Sequence, residues 1–144
     1  MGGTETEDLY RKAGLEVHGR YGGAEGPTVE EAFRVVVNIE TEPSMKISRR
    51  TGDAAEAVGR MWLHRALERG LFGSEGEFLV AGGLTDGWIR VRITPATDIS
   101  RLIQNDGNIQ LLARSVGGDK ISAIDVEGDY FWLVDEPYPN QAIG

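Results

Sequence analysis

The chain has 144 residues, enough for one domain with a core that needs neither disulfide nor metal to fold. It has no cysteine and only two histidines, His18 and His64, which excludes a disulfide framework and leaves few ligands for a zinc site. Its 23 acidic and 15 basic side chains give a net charge of −8, a field that repels phosphate backbones and anionic lipid, so neither nucleic acid nor a membrane surface is an expected partner. Met1 to Lys12 is polar, without the apolar core of a signal peptide, and no run approaches the roughly 18 apolar residues of a membrane span. A cytoplasmic location is the expectation.

Met1 to Asp8 shows no apolar periodicity and reads as a frayed end. Leu9 to Val17 reads as a short helix or strand. The glycine-rich run from Gly19 to Pro27 reads as a mobile loop. In Phe33 to Glu40, Phe33, Val35, Val37 and Ile39 alternate with Arg34, Val36, Asn38 and Glu40, which predicts a strand. Val36 on the second face suggests cover on both sides. Glu42-Pro43-Ser44 predicts a turn, with a short strand over Met45 to Arg49. Lys46, Arg49 and Arg50 form a basic cluster that either receives an anion or neutralises acids such as Glu40, Glu42 and Asp53.

Asp53 to Arg69 is predicted to be the main helix. Asp53 and Glu56 have capping-box spacing, and Gly70 is placed to stop it. Ala54, Val58, Met61, Trp62 and Ala66 share one apolar face. Leu63, Leu67 and Leu71 form a second stripe on the other side, which either the N-terminal segment or another molecule must cover. His64 and Glu68, one turn apart, are too few to make a metal or acid–base site and read as a solvated pair.

Glu77 to Ala81 and Trp88 to Thr94 read as paired strands joined through Asp86-Gly87. Trp88, Arg90 and Arg92 share one face of the second strand. That face is either an interface hot spot that could also hold an anionic ligand, or a covered face with arginine stems packed on the indole. Pro95 ends the strand, Thr97 or Asp98 caps a short helix through Gln104, and Asn105 to Asn108 turns.

The final third predicts a three-stranded meander: Ile109 to Val116, Ile121 to Val126, and Tyr130 to Asp135. Gly117-Gly118-Asp119 and Glu127-Gly128-Asp129 supply the turns. The continuous apolar run from Tyr130 to Val134 suggests a strand packed on both faces. Asp125, Glu127 and Asp129 alternate as cation ligands do, but Gly128 precedes Asp129 and no later glutamate follows, so a hairpin turn is the preferred reading. From Gly117 onward there are six acidic residues and one basic residue.

The predicted architecture is α+β and a single domain, 1–144, with flexible ends at 1–8 and 137–144. A main helix over about 53–69 and a short second helix pack on a mainly antiparallel sheet of five or six strands. Two smaller sheets in a barrel or sandwich are the alternative. No catalytic residue, metal ligand or cofactor is nominated: there is no Gly-x-Ser-x-Gly elbow and no phosphate-loop pattern. The leading expectation is a non-enzymatic, acidic protein-binding module, an inhibitor, immunity-type or phage-encoded accessory protein, with a basic partner. Its candidate partner-binding residues are Trp88, Arg90, Arg92, Asp129, Asp135 and Glu136. The alternatives are a self-assembling subunit using Leu63, Leu67 and Leu71, and a small-molecule or enzymatic domain with an anion site at Trp88, Arg90 and Arg92.

Overall fold

The computed structural model describes residues 2–23, 25–38, 40–82, 87–103 and 109–138, the side chains of 2–5 excepted. The elements run α1 (Gly2–Lys12), β1 (Glu16–Arg20), α2 (Val29–Val36), β2 (Met45–Ser48), α3 (Ala54–Glu68), β3 (Glu77–Ala81), β4 (Trp88–Arg92), a 3-10 turn (Ile99–Leu102), β5 (Leu111–Arg114), β6 (Lys120–Glu127) and β7 (Tyr130–Pro137). The strands form one seven-stranded sheet in the order β1-β4-β3-β5-β6-β7-β2, and each neighbouring pair is antiparallel.

The α+β class, the main helix and the C-terminal meander follow the sequence expectation. The sheet has seven strands rather than five or six, and one sheet replaces the alternative of two. Among the described residues, no helix is long and apolar enough to cross a membrane.

Alternation along the strands sends side chains to two cores. On one face, Phe78, Val80, Val91, Ala113, Ile124 and Leu133 meet Trp62 and Val58 of α3, Tyr10 of α1, and Ile99 and Leu102 of the 3-10 turn. Trp62 is 1% exposed and sits against the rings of Phe72 and Phe78, at centroid distances of 6.1 and 5.9 Å. Its truncation to alanine would cost about 3–5 kcal/mol. On the other face, Val29, Ala32 and Val36 of α2 cover Leu79, Trp88, Leu112, Ile121, Ala123 and Val134.

Two N-terminal expectations are corrected. Residues 2–8, read as a frayed end, belong to α1. The Tyr10 hydroxyl donates to the Ala81 carbonyl oxygen at 2.6 Å and pins that helix to β3, with burial pushing the phenol pKa up. The strand expected over Phe33 to Glu40 is instead α2 and its exit (Ile39 lies outside the described residues). Thr28 accepts from the Glu31 backbone N–H while the Glu31 carboxylate accepts from the Thr28 N–H, a complete capping box. Val29, Ala32 and Val36 then fall on one helical face. The glycine-rich loop loses its first two residues to β1.

At α3 the expected capping box is absent, because the Asp53 side chain caps no backbone N–H. Gly70 does follow the helix at φ +72°. Asp98 accepts from the Ser100 N–H and opens the 3-10 turn. Gln104, the Asn105–Asn108 turn, Asp86 of the β3–β4 link, Met1 and the end beyond Tyr138 lie outside the described residues. Pro137, assigned to a flexible end by sequence, belongs to β7, and the Tyr138 N–H donates to the Asp119 carbonyl oxygen at 2.9 Å.

Candidate functional site

The Trp88 face is covered at Trp88 and open at Arg90. Trp88 is 5% exposed, and its indole N–H donates to the Pro27 carbonyl oxygen at 2.8 Å. Arg92 is drawn to the edge strand, with Nε 3.1 Å from Glu16 Oε2. Of the three, only Arg90 is exposed. The Trp88 partner that sequence reasoning missed is Arg114, which is 1% exposed on β5. Its Cζ stands 5.4 and 5.6 Å from the centroids of the Tyr21 and Trp88 rings, and the Tyr21 side chain hydrogen-bonds it. Nε, Nη1 and Nη2 donate to the carbonyl oxygens of Ser115, Pro27 and Val116, each at 2.9 Å. Burial pushes its pKa down, against the opposing influence of Tyr21 and Glu25.

Gly26 and Gly118 close over this group at φ +79° and +84°. A Cβ on Gly26 would stand 2.7 Å from the Gly118 Cα and 2.8 Å from the Arg114 Cζ. The glycine run read as a mobile loop is thus stitched to the β5–β6 turn. A cleft of about 290 Å³ opens beside it, lined by Tyr21, Glu25, Pro27, Trp88 and Arg114 among others.

The acidic candidates separate. Asp135, nominated as a partner contact, turns inward: its side chain is 5% exposed and accepts from Arg65 Nε at 2.9 Å and Ser122 Oγ at 3.0 Å. Arg69 Nε lies 3.9 Å from its other oxygen. The neighbouring Glu136 is half-buried, and burial raises its pKa, helped by the Asp135 charge and opposed by Arg69. Asp129 is exposed and pairs with Arg50 at 3.0 Å.

The basic cluster is shared out over the β6–β7 hairpin. Arg49 Nη1 donates to the Gly128 carbonyl oxygen at 2.9 Å, Arg50 holds Asp129, and Lys46 rises over two rings. The acid that Arg50 pairs with, Asp129, is not one of the three expected from sequence proximity. The leucine stripe also divides. Leu71 is buried and Leu63 packs against the first core, while Leu67 is 58% exposed. His64 and Glu68 form an exposed pair at 3.4 Å. Together with Met45, Arg60, Met61 and Arg65 they line a shallow groove of about 300 Å³. Among the described residues, no three His, Asp or Glu side chains gather as a metal site.

The surface that stands out lies where α2 leaves its sheet face open, across β6, β7 and the edge strand β2. Lys46, Trp132 and Asp125 lie side by side in register, as do Ser48, Tyr130 and Glu127. All share the pleat direction of Ala123 and Val134. Tyr130 is 45% exposed and Trp132 is half-buried, so β7 is packed on both faces only along its middle. Lys46 Nζ stands 5.8 Å from the Tyr130 centroid and 5.4 Å from that of Trp132. Asp125 is 5% exposed. Burial raises its pKa to about 7, reinforced by a hydrogen bond to the Glu127 carboxyl and by the Glu127 charge, while the Val126 N–H opposes the shift.

The arrangement offers stacking surface, one cation and two neighbouring carboxyls. It can hold a partner's side chains or exchange a proton near neutral pH. Compared with known protein families, curated proteins and solved structures, the chain gives no match.

Proposed function

We propose that this chain is a non-enzymatic protein-binding module, acting in the cytoplasm as an inhibitor, immunity-type or accessory protein. The partner docks on the open end of the α2 face, around Tyr130 and Trp132. The observation that carries the reading is the exposure of Tyr130 beside half-buried Trp132, next to strands β5 and β6 that are packed on both faces. Tyrosine and tryptophan dominate the centres of protein interfaces, because each buries a large apolar area at low entropic cost. Glu127 and Asp129 flank this pair, and with a net charge of −8 they favour a basic partner surface and speed its approach. The four-residue edge strand β2 lies alongside and adds backbone groups to the same surface. Self-assembly has less support, since Leu67 is the one exposed leucine of its stripe and identical copies repel.

Affinity capture with the purified chain, followed by quantitative mass spectrometry, tests the reading. A basic protein held by the wild type and by Arg101→Ala, but lost with Tyr130→Ala and weakened by Glu127→Gln, is the expected result. A partner held equally by all four proteins would overturn the assignment of this surface.

A further inference from the structure

We propose that the outer edge of β2 takes up an eighth strand, an extended segment of another protein in which apolar and acidic side chains alternate. The edge borders the Tyr130 surface, but the inference rests on the edge and on the α3 face and does not depend on docking at Tyr130.

The sheet order ends on β2, and among the described residues no strand lies beyond it. The register with β7 fixes which backbone groups are left over. The Arg49 N–H donates to the Asp129 carbonyl oxygen at 2.8 Å, in step with the pairing of Ile47 with Phe131 and of Met45 with Leu133. Met45, Ile47 and Arg49 therefore turn their backbone groups to β7, and Lys46 and Ser48 turn theirs outward. The Ser48 carbonyl oxygen accepts from the Thr51 N–H at 3.4 Å. That leaves the Lys46 N–H, the Lys46 carbonyl and the Ser48 N–H along the edge, a template for strand addition.

The side chains beside the edge say what the added strand carries. Met45 and Ile47 lie on the α3 face, where half-buried Met45 and Met61 wall the groove of about 300 Å³. A strand laid on β2 would place every second side chain over that groove, and the two thioethers favour an apolar group there. The alternate side chains fall on the α2 face beside Lys46. Lys46 and Arg60, which lines the groove, are both exposed, and neither has an acidic partner among the described residues. His64 and Arg65, also in the lining, are already paired with Glu68 and Asp135. Two unmatched cations at one edge of a chain of net charge −8 are complementary to carboxylates on the incoming strand. The same lysine disfavours a second copy of β2, which would bring like charges together across the new pairing.

Titration of the whole chain with acetyl-Thr-Glu-Leu-Glu-Thr-amide, followed through the Lys46 and Ser48 backbone amide resonances, tests the edge. Saturable shifts with a Kd of about 1 mM or tighter are expected. A peptide with lysine for both glutamates should bind about fivefold more weakly, and Lys46→Glu, at an exposed position, should reverse that preference. In antiparallel addition the residue opposite Lys46 both donates and accepts. N-methylation of the two glutamate nitrogens should then abolish binding, and N-methylation of the leucine nitrogen should not. The opposite methylation pattern would assign a parallel strand and still support the edge. Binding that survives both methylations, equal affinity for the acidic and basic peptides, or no shift at Lys46 and Ser48 would overturn the proposal.

Discussion

Arg65 on α3 donates from Nε to Asp135 Oδ2 on β7 at 2.9 Å, tying the main helix to the strand next to the β2 edge. The Asp135 carboxylate is almost wholly buried, with Ser122 and Arg69 completing its surroundings. Asp135→Ala strands Arg65 and should cost about 3 kcal/mol in urea unfolding. Arg65→Ala should cost a similar amount, and the double variant less than the sum of the two. Additive losses would mean that the pair does not act as a unit.

Gly118 and Gly70 share a left-handed backbone but not the same space. At Gly118 a new Cβ would stand 2.6 Å from the Gly26 Cα, whereas at Gly70 it would meet nothing within 4 Å. Gly70→Ala should cost only the conformational strain, about 1 kcal/mol. Gly118→Ala should cost at least twice that and broaden the Trp88 indole resonance. Equal losses would show that the Arg114 loop gives way freely.

Asp125 makes stability depend on pH in the direction opposite to a salt-bridged carboxylate. Its folded pKa is about 7, whereas an unfolded aspartate titrates near 3.9. Between those values the folded form keeps a proton that the unfolded chain has released, so stability falls as pH rises through the window. A loss on the order of 2 kcal/mol between pH 4 and pH 7 is expected. Asp125→Asn should flatten that part of the profile and raise stability at pH 8. Parallel profiles for the two proteins would show that burial leaves this carboxyl unshifted.

Thr28→Ala removes the hydroxyl that accepts the Glu31 N–H and should destabilise α2 by about 1 kcal/mol. Because α2 and α3 cover opposite faces of the sheet, amide exchange should accelerate in α2 before it changes in α3. Unchanged exchange there would mean that the cap is idle.

The same cap shows what was readable in the residues. Thr28-Val29-Glu30-Glu31 carries the capping signature, but Phe33, Val35, Val37 and Ile39 alternate downstream and favour a strand by β-branching. The helix forms because Val29, Ala32 and Val36 find an apolar face to cover, a tertiary reason that local alternation does not carry. At α3 the periodicity was strong enough to locate the helix although its expected acidic cap makes no bond. The meander was legible because its glycine turns and apolar runs are local. Arg114 and Tyr130 were not legible as site residues. One looks like a charge ending a short strand, the other like part of a core run, and only the packing of distant segments separates them.

The two outermost strands have a consequence for synthesis. β1 and β2 are made early, yet each waits for a neighbour encoded later: β1 for β4, β2 for β7. Roughly eighty residues separate β2 from β7, or about 4–16 s of translation at typical rates. Through that interval Met45 and Ile47 leave the ribosome with no sheet to join. The nascent chain is exposed to premature pairing for that time, and a chaperone holding residues 45–48 would act on it more than on any stretch of the meander.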